Sequence, residues 1–237
     1  VLLSCTMLFS VTACNKKRTA KEVLQSSIEQ SSNLKGSDFN GNASYTIDTG
    51  KGDSQSVFHF KMNFDTKLQS LHSKNLKMSM SSTAIMLGQS VDMDMYYTNG
   101  YFYMSSNGQK TKTKMDIKDL QKQIQSTTGQ TSLPAKYYKN LKLSEKDGNT
   151  VLKYSINSDG LNKYVKDITS QMTTITGGSN SIKISSLTGT KTLNDKDLPV
   201  KETIQMVMES GDNEVGSISL KMNLTYHNPG ESVTVSL

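Results

Sequence analysis

The sequence predicts an α+β protein built on a large curved antiparallel β-sheet, a half-barrel of about ten or eleven strands with about three helices on its concave face. Apolar and polar residues alternate in many segments, most clearly at Phe58, Phe60 and Met62, which places these side chains on one face of a strand. Asn99-Gly100 is a strong signal for a type I′ hairpin turn. Helical and strand segments do not alternate regularly, so a parallel βαβ sheet is excluded.

Other segments with a period of two predict the remaining strands. Pairing outward from Asn99-Gly100 sets Tyr97 opposite Phe102. The next pair is then Met95 and Met104, so the apolar face continues across the turn. The residues that mark the further strands are Leu76, Met78 and Met80; Val91 and Met93; Lys110, Lys112 and Lys114; the hairpin around Asp147-Gly148-Asn149 with Leu152, Tyr154 and Ile156; Ile182 and Ile184; Ile204, Met206 and Met208; Ile218, Leu220, Met222, Leu224 and Tyr226; and Val233 and Val235.

Three helices are predicted from their caps and their apolar spacing. The first covers Thr19 to Leu34, with Thr19 and Glu22 at capping-box spacing and Gly36 after its end. Asp116 and Ser158 are expected to cap the second and third helices. The inward residues are Ile117, Leu120 and Ile124 in the second helix and Leu161, Val165, Ile168 and Met172 in the third.

Composition and charge exclude several classes of function. The 237 residues carry a net charge of +6 that is spread along the chain without a recognisable nucleic-acid-binding module, so no nucleic-acid partner is expected. The two cysteines, Cys5 and Cys14, lie near the start, so the rest of the chain can form neither a disulfide nor a thiolate metal site. We expect a single domain over residues 19–237 and a monomer.

The first residues resemble the signal peptide of a bacterial lipoprotein. Val1–Val11 is an apolar run of signal-peptide length that is too short to cross a bilayer. It leads into Val11-Thr12-Ala13-Cys14, which resembles a lipobox. The resemblance implies that residues 1–13 are removed and that Cys14 receives a diacylglyceryl group, whose two acyl chains anchor the protein to a membrane.

Residues 14–18 are then expected to form the lipidated cysteine and a short basic tether. Lys16, Lys17 and Arg18 would lie against anionic lipid headgroups. Neither an initiator methionine nor a basic segment precedes Val1, so we expect the natural precursor to begin earlier. The alternative interpretation of this region is a buried N-terminal strand that contains a cysteine.

The layout resembles a family of lipoproteins from Gram-positive bacteria. In that family a threonine-led helix, here Thr19–Leu24, is followed by a Met-rich strand and a Tyr-rich hairpin, here Tyr96–Tyr103. A Gly-x-Lys-x-Lys strand and a short helix come next, here residues 108–120. The family is similar to the superfamily of periplasmic lipoprotein carriers and mycobacterial lipid carriers. This resemblance implies a half-barrel that holds acyl chains on the outer face of a Gram-positive cell membrane.

We predict that the concave face of the sheet lines a cavity for a lipid or another apolar ligand. The chain has 13 methionines, whose flexible thioethers make deformable apolar surfaces, although a core filled with methionine would give the same pattern. A Cu(I) site at the Met-x-Met pairs is disfavoured, because period two brings any such pair to one face. The candidate lining residues are Phe58, Phe60, Met62, Met78, Met80, Met93, Met95, Phe102 and Met104.

No catalytic site, metal site or cofactor is predicted. His59, His72 and His227 are far apart in the sequence, and no nucleophile motif accompanies them. Asp92 and Asp94 share one strand face, which we interpret as solvated rather than as an acid pair or a cation site. The sequence therefore favours a binding protein over an enzyme.

Lys110, Lys112 and Lys114 form one cationic strand face that has two interpretations. The face would contact anionic headgroups or anionic wall polymers, or it would protect an edge strand against aggregation. The whole protein also has an alternative: a structural or protein-interaction lipoprotein whose half-barrel is filled by its own side chains.

Overall fold

The computed structural model describes residues 17–49, 56–127, 133–165, 182–210 and 215–236. Within these ranges, eleven strands form one antiparallel sheet that is curved and does not close. The predicted fold class, an α+β half-barrel with helices on its concave face, is confirmed.

The elements follow one another along the chain in a simple order. Helices α1 (Ala20–Ser32), α2 (Ile117–Thr127) and α3 (158–165) are accompanied by a 3-10 turn at Ala135–Tyr137. The strands are β1 (Gly36–Thr49), β2 (Ser56–Gln69), β3 (Lys77–Met86), β4 (Gln89–Thr98), β5 (Tyr101–Ser106), β6 (Gln109–Lys114), β7 (Tyr138–Lys146), β8 (Asn149–Ile156), β9 (Ile182–Leu193), β10 (Pro199–Ser210) and β11 (Val215–Tyr226).

Two meanders make up the sheet. Strands β1 to β6 pair in sequence order, as do β7 to β11, and the first strand of the chain pairs with the last. The spatial order β6-β5-β4-β3-β2-β1-β11-β10-β9-β8-β7 leaves β6 and β7 as the edges. We call the end of the sheet where β1 ends and β2 begins the upper end, and the opposite end the lower end.

The helices cover the concave face because each turns an apolar stripe toward the sheet. Leu120 and Ile124 of α2 pack in a cluster with Phe39, Phe64 and other residues of β1–β4 and β11. Leu161 of α3 packs in a second cluster, with residues of β1 and β8–β11. Helix α1 buries Val23, Leu24 and Ser27 and contacts β7 and β8.

The helix caps are partly as predicted. The Thr19 hydroxyl accepts from the Glu22 amide at 3.2 Å and the Glu22 carboxylate accepts from the Thr19 amide at 2.7 Å, so the capping box is confirmed. Asp116 accepts from the Lys118 amide at 2.7 Å, at the start of α2. The third helix is capped by Asn157, whose side chain accepts from the Gly160 amide, so the prediction of Ser158 is wrong by one residue. Residues 168 and 172, placed on its stripe, lie outside the described residues.

The end of α1 also differs from the prediction. The helix ends at Ser32 with Asn33 as its C-cap, and Gly36 opens β1 instead of ending the helix. A Cβ at Gly36 would lie 2.8 Å from the Leu68 carbonyl oxygen and 3.1 Å from Val233 Cβ. Glycine is therefore explained there by the close approach of neighbouring chain segments.

Two strand predictions are wrong. One strand was not predicted and one predicted strand is not formed, so the number of strands still agrees with the prediction. Strand β1 was missed because its concave positions include Gly41 and Ala43, which hide the apolar period. Val233 and Val235 were expected in a strand but lie outside any strand. Val235 is buried, and its amide donates to the Gln69 side chain at 2.9 Å, so this segment packs against the sheet without extending it.

Four hairpin turns have positive φ at both central residues, the conformation of a type I′ turn. Asn99-Gly100, Asn107-Gly108 and Asp147-Gly148 carry the residues that tolerate it, and the predicted pairing of β4 with β5 is confirmed. In the fourth turn the first position is Leu87, with φ +51°. Leucine in this region costs about 1–2 kcal/mol, and Leu87 is 74% exposed, so little packing offsets the cost.

Gly41 provides a test of the packing between β1 and its neighbours. An added Cβ would lie 2.6 Å from the Phe64 ring and 2.8 Å from the Asn223 carbonyl oxygen. We expect Gly41→Ala to lower the free energy of unfolding by about 1–3 kcal/mol through overpacking, measured by urea denaturation. Ser44→Ala, on the convex face of the same strand, should change it by less than about 0.5 kcal/mol. Equal denaturation midpoints for the two variants would contradict this packing.

Candidate functional site

A cavity of about 300 Å³ lies between α2 and the concave face of the β1–β6 half of the sheet. Its walls come from β1–β5 and β11, and Leu120 and Ile124 of α2 cover it. The lining is almost wholly apolar because it consists of the inward positions of period-two strands. The lining residues are Phe39, Tyr45, Met62, Phe64, Thr66, Leu68, Met78, Met80, Met95, Phe102, Leu120, Ile124, Met222 and Leu224.

Along the concave face, burial falls from the lower end to the upper end. On β2, Leu68 is fully buried and Phe64 is 9% exposed, whereas Phe58 is 42% exposed. On β3, Met78 is 7% exposed and Met86 is 54% exposed. The concave wall of these strands is therefore covered where α2 packs and uncovered toward the hairpin turn after β3.

The structure brings five of the nine predicted lining residues together at the cavity: Met62, Met78, Met80, Met95 and Phe102. Phe58, Phe60, Met93 and Met104 share the concave face but are not among the lining residues. Phe58 and Phe60 lie beyond the cavity toward the upper end of β2.

The residues that sequence reasoning missed come from three places. Phe39 and Tyr45 belong to the unpredicted strand β1. Met222 and Leu224 lie on a strand whose period was recognised, but the sequence does not reveal that β11 pairs with β1. Leu120 and Ile124 were correctly predicted to face inward on α2, but the sequence pattern did not indicate which strands they would contact.

A second buried cluster lies on the concave face of the other half of the sheet. Tyr154 and Ile156 of β8, Leu187 of β9 and Met206 of β10 form this cluster with Leu161 of α3. Tyr45 and Met222 are half-buried at its borders, and both also line the cavity. The described residues of this half therefore pack against each other directly beside the cavity.

A buried polar cluster occupies the concave face of β8–β11. The Glu202 carboxylate accepts from the Tyr154 hydroxyl at 2.9 Å and from the Tyr226 hydroxyl at 3.5 Å, and Lys191 Nζ lies 3.4 Å from its Oε1 atom. Glu202 is 4% exposed and Lys191 is 8% exposed. A Cβ at position 189 would overlap the Tyr154 ring, so Gly189 allows that ring to cross β9 and reach Glu202.

This environment shifts the ionisation of its members. Burial raises the pKa of Tyr154 and Tyr226 well above the ordinary value, and the charge of Glu202 raises both further. Burial alone would lower the pKa of Lys191, but the Glu202 carboxylate more than offsets it, so the pKa of Lys191 is raised. Both tyrosines are therefore neutral donors and Lys191 is a cation, so donors from three neighbouring strands surround the Glu202 side chain.

The remaining candidate side chains lie on the outer surface. Asp92 and Asp94 accept hydrogen bonds from Thr83 and Ser81 on the neighbouring strand, at 2.6 and 2.7 Å. His59, His72 and His227 are exposed and widely separated along the chain. Within the described residues, no group of three His, Cys, Asp or Glu residues is placed to hold a metal ion.

The three predicted cationic residues lie on β6, an edge of the sheet, and all are exposed. Lys112 Nζ lies 4.3 Å from the centroid of the Tyr101 ring and 5.4 Å from that of Tyr103, so the tyrosine face of β5 holds it by cation–π contacts. Lys110 and Lys114 flank it on the same strand face.

Arg18 ties the start of the described chain to the lower end of the sheet. Its guanidinium donates to both carboxylate oxygens of Asp197, at 3.1 and 2.7 Å, in the turn between β9 and β10. Lys17 is exposed beside it. Cys14 and Lys16, the predicted lipidation site and a predicted headgroup contact, lie outside the described residues. None of the helices in the described ranges is long and apolar enough to cross a membrane.

A family model described as a family of unknown function, DUF6612, matches residues 19–235. The chain belongs to this family. The match spans every strand and helix described above. None of the curated protein sequences matches the chain.

Solved structures similar to this chain include the lipoprotein LppX from Mycobacterium tuberculosis, with 13% identity, a TM-score of 0.46 and coverage of 92% of this chain and 98% of that one. LprF from Mycobacterium bovis has 14% identity, a TM-score of 0.48 and coverage of 92% and 96%. The LolA superfamily protein NE2245 from Nitrosomonas europaea has 9% identity, a TM-score of 0.24 and coverage of 93% and 95%. Mycobacterial lipoproteins and a LolA superfamily protein, the kinds of protein that the sequence resembles, are thus among the similar solved structures.

The polar cluster predicts a loss of stability in alkali. Groups whose pKa is raised on folding contribute stability that is complete below their unfolded pKa, near 10 for Tyr and Lys, and that is lost as pH rises through the folded value. We expect the melting temperature to hold between about pH 7 and 9 and to fall above about pH 10. The double variant Lys191→Met, Glu202→Leu should reduce this fall without abolishing it, because Tyr154 and Tyr226 stay buried but lose the charge of Glu202, measured by thermal unfolding across the pH range. Parallel profiles for the two proteins would contradict the assignment.

Proposed function

We propose that this protein is a membrane-anchored, extracytoplasmic lipoprotein that binds an acyl chain, or an apolar ligand of similar shape, in the cavity beneath α2. The observation that carries the proposal is the cavity itself, a preformed space whose lining has polar side-chain atoms only at Tyr45 and Thr66. Empty apolar space forfeits van der Waals contacts, so a fold that maintains it gains stability from an apolar occupant.

The volume of the cavity suits one chain. At about 30 Å³ for a group the size of a water molecule, 300 Å³ holds about ten methylene groups. Burying them would contribute about 8 kcal/mol at about 0.8 kcal/mol each, which corresponds to a dissociation constant of about 1 µM before ordering costs. We therefore expect binding in the micromolar range or weaker.

The lining favours selection by shape over recognition of a headgroup. Five of its residues are methionines, Met62, Met78, Met80, Met95 and Met222, whose unbranched side chains repack around different occupants. No charged side chain belongs to the lining. Chains of different length and branching should therefore compete for the same space.

Anchoring is proposed from the lipobox at the start of the chain. Cys14 lies four positions before Arg18, which is bonded at the lower end of the sheet. A diacylglyceryl group on Cys14 would therefore hold that end close to the bilayer, on the outer face of the cell membrane. We also propose a Gram-positive host, which is supported by the resemblance of the sequence to lipoproteins of such bacteria.

A substitution of the acylated cysteine tests the anchor. We expect Cys14→Ser, in the natural precursor expressed in its own host, to abolish incorporation of a labelled fatty acid, because no thiol remains at the acylation site. Labelling followed by immunoprecipitation makes the measurement, with Cys5→Ser as the matched control that keeps its label. Label in both variants, or in neither, would overturn the proposed anchor.

Filling the cavity tests ligand binding. The chain from residue 15 onward contains every described element, and a cis-parinaric acid titration reports the entry of a fatty acid through fluorescence. We expect Met80→Trp to weaken binding at least tenfold, because the indole occupies the middle of the lining. Met104→Trp, on the same concave face but outside the lining, should leave the affinity within about twofold.

Equal loss in both variants, or no binding by the parent protein and no lipid in its native mass spectrum, would overturn the proposal. The second outcome would favour a structural or protein-interaction lipoprotein. The observation on which that alternative rests is the buried apolar cluster formed by described residues of the β7–β11 half.

A further inference from the structure

The upper end of the β1–β6 half carries an apolar tip formed by Val57, Phe58, Ile85, Met86 and Leu87, which are 52%, 42%, 37%, 54% and 74% exposed. We propose that this tip inserts into the apolar layer of a lipid bilayer and forms the entrance through which an acyl chain reaches the cavity. The entrance role rests on the proposed function, whereas insertion of the tip stands by itself.

The tip is one contiguous surface. Strands β2 and β3 are paired, with Phe60 opposite Met86 and Lys61 opposite Ile85, so the first residues of β2 lie beside the last residues of β3. Leu87 continues directly from Met86 into the turn. Two separate stretches of sequence therefore meet at the same corner of the sheet.

Both faces of the sheet carry exposed apolar side chains at the tip. Phe58 and Met86 belong to the concave face, whereas Val57 and Ile85 belong to the convex face, where Asp48 lies opposite Val57 and Lys61 lies opposite Ile85. Further from the tip, the convex positions of β2 and β3 are all polar, as in Asn63, Thr83 and Ser81. A protein partner docked on one face would leave the other face in water, but a bilayer surrounds both faces with hydrocarbon.

The turn sequence gives a second, independent observation. Three of the four type I′ turns use Asn or Asp at the position where the fourth has Leu87. A Cβ at Gly88 would meet no atom within 4 Å, as in the other three turns, so packing around the turn does not account for the leucine. Since neither backbone preference nor packing favours leucine here, its apolar side chain is explained by a medium outside the protein.

The distribution of charge also fits a bilayer. No charged residue occurs in Ser56–Phe60 or in Ala84–Val91, and an inserted charge would be unfavourable, so Asp48 of β1, which pairs with Val57, limits the depth of insertion on that side. Lys61, opposite Ile85, is the first cation below the tip on β2, and its long side chain can reach a phosphate while its stem lies along apolar surface. The order of apolar tip, then lysine, matches the order of hydrocarbon, then headgroup.

The tip is continuous with the cavity. Phe58, Phe60 and Met62 follow one another along the concave face of β2, and Met62 lines the cavity. An acyl chain entering at the tip would meet apolar side chains over the whole path. Arg18 and the proposed anchor lie at the lower end, about 30 Å from the tip along the strands. The tip and the anchor would therefore contact different regions of a bilayer.

A tryptophan at the apex tests insertion, because the chain has none of its own. In the chain from residue 15 onward, Leu87→Trp should show a blue-shifted emission and at least twofold quenching with vesicles of dibrominated phosphatidylcholine, whose neutral headgroup removes nonspecific attraction to a basic protein. Leu143→Trp, 38% exposed on β7 near Lys17 and Arg18, is the matched control and should show neither effect. Quenching of both probes, or of neither, would overturn the proposal.

A second variant separates the tip from folding and from the cavity. Leu87→Asn with Met86→Ser gives the turn the asparagine that two of the other three turns use, so the fold should be at least as stable. We expect flotation with phosphatidylcholine vesicles to fall at least tenfold, while binding of cis-parinaric acid from solution stays within about twofold. Unchanged flotation, or a parent protein that dimerises through the tip in sedimentation, would overturn insertion. A parent protein that inserts its tip but binds no fatty acid would overturn the proposed function and would not affect the proposal of insertion.

Discussion

Strands β1 and β11 pair over eleven positions, from Phe39 opposite Tyr226 to Thr49 opposite Val215. This ladder makes one curved sheet out of two meanders, and it brings Met222 and Leu224 of the last strand to the wall of a cavity that otherwise belongs to the first half. Glu202 lies beside Leu224 on the next strand and fixes two tyrosines and a lysine. The position of the cavity therefore depends on contacts between the two ends of the chain.

The sequence predicted the fold class because local signals agree with each other. The capping box at Thr19, the hairpin at Asn99-Gly100 and the inward stripe of α2 each depend on neighbours in sequence, and each is confirmed. Strand β1 was not predicted because Gly41 and Ala43 stand at concave positions where large apolar residues would have shown the period of two. Val235 gave the opposite error. It is buried, as an inward strand residue would be, but its segment does not belong to any strand.

The candidate site was predictable only in part, for a physical reason. Period two tells which face a side chain occupies, so Met62, Met80 and Met95 could be assigned to the concave face. It carries no information on the level along the strand at which a helix covers that face. Phe58 and Met62 are equivalent in the pattern, yet Phe58 is exposed at the upper end of the sheet and Met62 lies under α2.

The pairing of β1 with β11 also bears on how the chain folds. Phe39 and Tyr226 are separated by most of the sequence, so their contact closes a very long loop and raises the contact order of the protein. Until residue 226 has emerged during synthesis, the hydrogen-bonding edge of β1 has no partner and can associate with other chains. Slow, late folding and a need for protection of the nascent chain follow directly from placing the first and last strands side by side.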